Sequence, residues 1–419
     1  MQKRTVAVIG QGYVGLPLSM RAVEVGFTVV GLEVDPDRVA RLAAAGSYVE
    51  DVSAAQLQAA LDSGRYRPTT SYADAAGFDV AVITVPTPLR EGNPDLSYIE
   101  DAARSLAPLI RAGATVVLES TTYPGTTQDL LQPLLEAGSG LTAGEDFFLG
   151  YSPERIDPGN PVYGLVNTPK VVSGINAASL AAVQGFFDEI VERTVPVSTP
   201  REAELAKLLE NTFRHVNIAL VNELAVFAHQ LGIDIWEVID AAATKPFGYL
   251  RFTPGPGVGG HCLPIDPSYL SWQVKRSLGH SFRFVELAND VNDHMPDYVV
   301  QRLMLLLNEQ GLAVKGARVL LLGLAYKKNT GDARESPVAR VAELLVGLGA
   351  EVTAADPHVE AAQVPVGVRQ VALSAEEVAA ADVVVVLTEH DAFDLSLLDD
   401  ALVLDTRNVV KARAGVEHL

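Results

Sequence analysis

The opening of the chain constrains the fold more than any other stretch. Residues 5–9, Thr-Val-Ala-Val-Ile, form a short apolar run that ends in a glycine hexamer, Gly10-Gln11-Gly12-Tyr13-Val14-Gly15. A helical segment over 17–26 follows, and a second apolar run, Phe27 to Leu32, ends at Glu33. Alone, such a hexamer is no more than a tight turn. Between a strand and a helix, with an acid closing the next strand, it is the fingerprint of a dinucleotide-binding unit. Gly10 permits the turn, Gly12 lets the backbone approach a pyrophosphate, and Gly15 lets helix and strand pack closely. The helix N-terminus then supplies amide donors to the phosphates. Glu33 is placed to accept hydrogen bonds from ribose hydroxyls. A carboxylate there disfavours a 2′-phosphate, so NAD is expected rather than NADP. Asp35 is the competing acid, and Arg38 nearby leaves some tolerance for NADP.

The same alternation continues at Val80–Val85, Thr115–Leu118 and Phe147–Gly150, with alanine- and leucine-rich helical segments between. Apolar strands alternating with helices predict an α/β fold with a parallel sheet covered on both faces. Near residue 200 the pattern changes. Thr199 reads as an N-cap, Pro200 as the first helical residue and Glu202 as the partner in a capping box. Apolar residues at helical spacing then run to Leu231, and Gly232 stops a helix of about 45 Å. Shorter helices are expected at 234–243, 267–278 and 283–309. From Lys315 a second alternating region begins: ARVLLLGLAY, GAEVTAADP, ADVVVVLTEH and, last, ALVLDTRN. The expectation is two doubly wound Rossmann-like domains joined by a helical middle. The boundaries read as 1–198 for the first, 199–310 for the middle and 311–419 for the last.

Bulk properties exclude several classes. The net charge of −20 repels nucleic acid and anionic membrane, so neither is expected as a partner. Any phosphate-bearing ligand must therefore be held by local donors. A single cysteine rules out an internal disulfide and a cysteine-rich metal site, and no metal is expected. No signal-peptide h-region or membrane-length apolar stretch is apparent, which points to the cytoplasm.

That lone cysteine, Cys262, lies in PGPGVGGHCLPIDP, 254–267, with Gly255, Gly257, Gly259 and Gly260 before it. A lone thiol in a large chain is ordinarily a small buried hydrophobe. The glycine density argues instead for backbone approach to a ligand. His261 is either a base for the thiol or a structural residue.

With this loop the chain resembles the UDP-glucose/GDP-mannose dehydrogenase family, the four-electron nucleotide-sugar dehydrogenases. GQGYVGLPLS at 10–19, VPTPL at 85–89, ESTTYPGTT at 119–127 and YSPERIDPG at 151–159 agree in order. So do ELAKLLENTFRHVNIALVNELA at 204–225, KPFGYLRFTPGPGVGGHC at 245–262 and AYKKNTGDARESP at 325–337. The resemblance implies oxidation of a sugar CH2OH to a carboxylate with two NAD. It gives Cys262 a covalent role, as thiohemiacetal and then thioester. Lys207 and Asn211, four residues apart on one helix face, are implied to stabilise the developing oxyanion. Glu154 and Asp266 are implied to handle water and protons, and Thr121 to hold a water or the C6 oxygen. Pro86, Thr87, Ser120 and Thr121 join the hexamer, Glu33 and Arg38 around NAD. On the substrate side the resemblance implies Glu154, Arg155, Lys207, Asn211, Arg214, Tyr249, Phe252, Gly255 and Gly259. Lys327 and Arg334 are the cations expected near the UDP pyrophosphate or the neighbouring subunit's ligand, whereas Lys328 reads as a solvated charge.

Ile265 and the segment Asn292-Asp293-His294 depart from members acting on UDP-glucose. The remaining blocks look more like members acting on UDP-N-acetyl-hexosamines. UDP-N-acetylglucosamine is the first expectation, with UDP-N-acetylmannosamine and UDP-glucose as alternatives. A two-electron NAD-dependent hydroxyacid-type dehydrogenase would leave the cysteine loop unexplained. A nucleotide-sensing regulator would leave the retained Cys262, Lys207 and Asn211 unexplained. The long apolar helix calls for a partner surface, so a homodimer or higher homo-oligomer is expected.

Overall fold

The computed structural model of the chain describes residues 4–419 apart from Glu91, Pro158, Gly159, Pro161, His261 and Cys262. The expected nucleophile therefore lies outside the described residues. The chain divides into two compact units, Met1–Glu210 and Asn211–Leu419.

The first unit is built on eight strands: β1 (Thr5–Ile9), β2 (Thr28–Leu32), β3 (Tyr66–Thr69), β4 (Val80–Ile83), β5 (Thr115–Leu118), β6 (Phe148–Tyr151), β7 (Lys170–Gly174) and β8 (Thr194–Pro196). Their order in the sheet is β8-β7-β6-β5-β4-β1-β2-β3. The chain leaves β1 toward one side and returns as β4 on the other. That reversal is a topological switch point, where open α/β sheets bind ligands. Alternate residues of β1 serve two cores: Val6 and Val8 pack on one face, Ala7 and Ile9 on the other. Burial on both faces is why these strands read as unbroken apolar runs. One junction corrects the all-parallel expectation. β7 runs antiparallel to β6, and the described residues between them include no crossover helix. Strands β3, β7 and β8 carry Arg67, Lys170 and Pro196 and lacked the apolar signature.

Helix Pro200–Gln230 starts in the first unit and continues into the second. The Thr199 hydroxyl accepts from the Arg201 amide at 3.3 Å and donates to Glu202, as a cap should. In the second unit the helices Ile235–Ala243, Asp266–Leu278 and Arg283–Glu309 follow. The second sheet contains β9 (Arg318–Leu322), β10 (Glu351–Ala355), β11 (Arg369–Val371), β12 (Val383–Val386), β13 (Val403–Asp405) and β14 (Val416–His418). Its order, β11-β10-β9-β12-β13-β14, has the same kind of switch between β9 and β12. ALVLDTRN is thus not the last strand: Val416–His418 pairs in parallel with β13 beyond it. With one valine in three residues, that edge strand carries little apolar signal. Among the described residues no helix is long and apolar enough to cross a membrane.

Candidate active site

The cofactor cradle of the first unit is legible atom by atom. Gly10 has φ +93°, and a Cβ there would stand 2.6 Å from the Thr84 carbonyl oxygen. A Cβ on Gly15 would collide with the Gly10 carbonyl, whereas one on Gly12 would meet nothing within 4 Å. Turn, helix packing and open approach are therefore divided among the three glycines as the fingerprint requires, and the residues fit a dinucleotide. Tyr13 is exposed and Val14 half-buried beside them. Gln11 is a residue that sequence reasoning missed. It is fully buried, donates to the Val8 and Gly10 carbonyls at 3.0 and 3.2 Å, and accepts from Ser19 and Tyr66 at 3.1 and 2.8 Å. It plugs the floor of the turn. Glu33 closes β2, accepts from the Gln11 and Asp35 amides at 3.3 Å each, and lies 3.9 Å from Arg38. Asp35, the competing acid, instead caps the helix Pro36–Ala43. The loops after β4 and β5 are stitched together: Ser120 donates to Val85 at 2.8 Å and Thr87 to the Thr121 carbonyl at 2.9 Å, with Pro86 exposed between them.

At the adjoining strand ends the first unit buries a charged cluster. The Lys170 ammonium donates to Glu119, to Glu154 at 3.2 Å and to the Pro153 carbonyl at 3.2 Å. The side chains of Glu119, Lys170 and Glu154 are 0%, 4% and 15% exposed. The other oxygen of Glu154 accepts from the Arg155 and Ile156 amides at 2.6 and 2.7 Å. Burial would raise both carboxyls, and it pushes Glu119 up to about 8. For Glu154 the Lys170 charge, the Glu119 hydrogen bond and the Ile156 amide outweigh burial and hold it below the usual carboxylate range. Lys207 adds to that field. It is 9% exposed and makes no hydrogen bond or ion pair among the described residues. Arg155 is tied to Glu210 at 2.5 and 3.2 Å and to the Pro169 carbonyl at 2.7 Å, so here it braces the loop. Glu119 and Lys170 were not anticipated. A polar residue directly after the apolar run Thr115–Leu118 was the only available signal for Glu119, and Lys170 offered none.

The second unit holds the other half of the expected machinery. Asn211 donates to Asp266 at 2.6 Å, joining residues that sequence could only name separately. Asp266 begins the helix Asp266–Leu278 and is buried. A buried amide chain anchors the start of the cysteine loop: the Gly255 amide donates to Asn222 at 3.0 Å, and Asn222 to Asn292 at 2.9 Å. Asn292, read in sequence as a substrate-class marker, is thus a core residue. The glycines of the loop have a packing reason as well. A Cβ on Gly259 would stand 2.7 Å from Pro337 and from Tyr326, and one on Gly260 2.7 Å from the Tyr326 ring. They allow close packing against the segment 325–337. Phe252 packs edge-on against Phe213 at 5.8 Å, Tyr249 is half-buried, and Arg214 is exposed.

At the switch point of the second sheet lies a cavity of about 280 Å³ lined by Pro256, Tyr326, Lys327, Thr388 and Arg407 among others. Arg407 was missed; it pairs with Glu389 at 2.6 Å, and its guanidinium lies where a Cβ on Gly255 would stand, 2.7 Å away. Arg334 forks onto Asp332 at 2.9 and 2.7 Å, and Lys328 is paired with Asp391 at 2.7 Å rather than free in solvent.

Three family models match the chain in order. They are the NAD binding domain of the UDP-glucose/GDP-mannose dehydrogenase family over residues 4–192, its central domain over 201–294 and its UDP binding domain over 320–412. The UDP-N-acetyl-D-mannosamine dehydrogenase of Pyrococcus horikoshii is 34% identical across 97% of this chain and 96% of its own. The UDP-N-acetyl-D-glucosamine 6-dehydrogenase of Pseudomonas aeruginosa is 39% identical across 86% and 84%. A solved structure of a UDP-D-ManNAc dehydrogenase from Pyrococcus horikoshii superposes with a TM-score of 0.90 at 33% identity, over 99% of this chain and 98% of that one.

Proposed function

The chain belongs to the UDP-glucose/GDP-mannose dehydrogenase family of NAD-dependent oxidoreductases, and on that premise we propose that it oxidises the C6 alcohol of a UDP-N-acetyl-hexosamine to the uronic acid. UDP-N-acetylglucosamine is the first choice. In this reading residues 1–198 hold NAD, 199–310 carry the cysteine loop and 311–419 hold the UDP moiety. The observation that carries the chemistry is the Asn211–Asp266 hydrogen bond. It ties a carboxylate four residues past Cys262 to the helix that also bears the buried Lys207, which has no hydrogen-bond or ion-pair partner among the described residues.

Bound NAD accepts one hydride at each of the two oxidations. Lys207 and Asn211 balance charge developing on the C6 oxygen, where a buried cation is most effective. The Cys262 thiolate adds to the aldehyde carbon to give a thiohemiacetal, whose oxidation leaves a thioester. Glu154 and Asp266 accept protons as water attacks that thioester and the thiol departs. Thr121 orients the water or the C6 oxygen. The sugar loses two hydrides, water supplies one carboxylate oxygen, and three protons are released per turnover. Lys327, Arg334 and Arg407 are assigned to the pyrophosphate.

The N-acetyl-hexosamine class is supported by the names of the relatives in both comparisons. UDP-N-acetylmannosamine is the second reading, favoured by a relative matched over nearly the whole of both chains. Measuring NADH released from each of these substrates and from UDP-glucose tests both. Two NADH per sugar is expected, and one per sugar would reject the four-electron reaction. We also assign the helix Pro200–Gln230 to a homodimer interface, because it leaves Leu209, Leu220, Leu224 and Phe227 exposed at helical spacing, Leu209 at 64%. A monomer by light scattering at micromolar concentration would contradict this.

A further inference from the structure

We propose that Glu119 is a protonated carboxyl that donates its hydrogen to Glu154, and that Glu119 and Lys170 together form the positioning pair that keeps Glu154 an ionised base. The proposal rests on Glu154 as a proton acceptor in the reaction above. It begins from an atom that is hard to explain otherwise. One oxygen of Glu119 accepts from Lys170; the other, Oε2, is buried and meets no donor among the described residues. Yet Lys170 holds Glu119 and Glu154 on one ammonium, which brings the two carboxyls together. Two ionised carboxylates are acceptors only and repel each other, whereas a proton on one lets it donate to the other.

Charge counting agrees. With both acids ionised, one buried lysine leaves the cluster at −1 in a region almost sealed from water; with one acid protonated it is neutral. The proton resides on Glu119 because the hydrogen-bond donors favour charge on Glu154. Two backbone amides and Lys170 point at Glu154, and the Lys207 charge acts on it as well. Glu119 receives only the lysine. On its far side Lys170 lies 5.1 Å from the centre of the Phe187 ring, which shuts out solvent. Glu119 is therefore a fixed proton holder rather than a conduit, and protons leave by way of Glu154, the most exposed member.

The test uses the full-length protein in two arms. The first is infrared spectroscopy of the resting protein. Buried Glu204 contributes a carboxyl signal of its own, so the band is read by difference: at neutral pH the spectrum of the natural protein minus that of Glu119→Gln should show the C=O stretch of a buried protonated carboxyl. Absence of that difference band would overturn the proposal. This arm needs no turnover, so it judges the pair whether or not the nucleotide-sugar reading survives. In the kinetic arm, Glu119→Leu should lower kcat about tenfold, and Glu119→Gln should restore it to within about threefold. An amide both donates to Glu154 and accepts from Lys170. Lys170→Met should raise the acid limb of the kcat–pH profile by about one pH unit, with NAD affinity unchanged. A limb unmoved by Lys170→Met, or shifted equally by Glu119→Gln, would reject the pair. If Lys170→Met does not fold, the infrared band decides.

Discussion

The two units carry nearly the same strand, glycine turn and acid, and they use them in opposite ways. In the first, Gly10 at φ +93° backs onto Thr84; in the second, Gly323 at φ +86° backs onto Thr388. The acids close equivalent strands, Glu33 after β2 and Asp356 after β10. Glu33 reaches only two amides, each at 3.3 Å, and Gly12 beside it opens to solvent. Asp356 takes the Leu324 and Ala325 amides at 2.7 and 3.0 Å, the His358 and Val359 amides at 2.8 and 3.0 Å, and His390 at 3.0 Å. The turn amides that could cradle a phosphate in the second unit are thus already spent on an internal carboxylate. A shared backbone template yields a ligand site only where its donors are left over. The second unit must hold its anion with side-chain cations instead.

The sharpest separation of the two units is chemical. Cys262→Ala should abolish uronate formation while NAD affinity, a property of the first unit, stays within about twofold. Chromatographic product analysis and calorimetric NAD titration check this; uronate made by the variant would remove the thioester route. Next is the contrast between the acids. Asp356→Ala should destabilise the second unit by about 3 kcal/mol, because it strands buried donors and His390. Both tryptophans, Trp236 and Trp272, lie in that unit, so the fluorescence midpoint in denaturant reports it. Glu33→Ala should leave that midpoint in place and weaken NAD binding about tenfold. Equal behaviour of the two variants would break the comparison. In third place, Arg407→Ala should raise KM for the UDP-sugar about tenfold with NAD binding unchanged.

The smallest effect is in pH dependence, where the units should respond with opposite sign. The amides and His390 outweigh burial and hold Asp356 below the usual aspartate range. Its stabilisation is therefore full above the unfolded value near 3.8 and is lost as pH falls below it. In the first unit, burial pushes Glu204 up to about 7 against an ordinary 4.5, although Gly125 and Thr127 donate to it. The unfolded chain then ionises first, so stability falls as pH rises from about 4.5 to about 7. Glu204→Gln should flatten that slope and gain about 1 kcal/mol at neutral pH by thermal melts. A slope unchanged in the variant would show that Glu204 is ionised throughout.

Much of this was legible before any coordinates. Strand β5 at Thr115–Leu118 matches the expected range end to end, and the helix Pro200–Gln230 falls within one residue of its expected limits. These features are local. A strand buried on both faces must be apolar throughout, and a cap must lie at the start of its own helix. The edge strand Val416–His418 and the antiparallel return at β7 were not legible, because pairing there depends on neighbours remote in the chain.

What the sequence by itself determined is the repeated α/β architecture, the division of labour among Gly10, Gly12 and Gly15, and the family with its NAD chemistry. Tertiary structure alone decided which acids are available for work. It set Asn211 against Asp266 across 55 residues and Lys170 against Glu119 across 51, and it turned Asp356 inward while leaving Glu33 at the cradle. It also set Gly259 and Gly260 close against Tyr326. Periodicity records how a segment meets its immediate neighbours. The partner that satisfies a buried polar group is chosen by contacts far away in the chain, and that choice leaves no spacing to read.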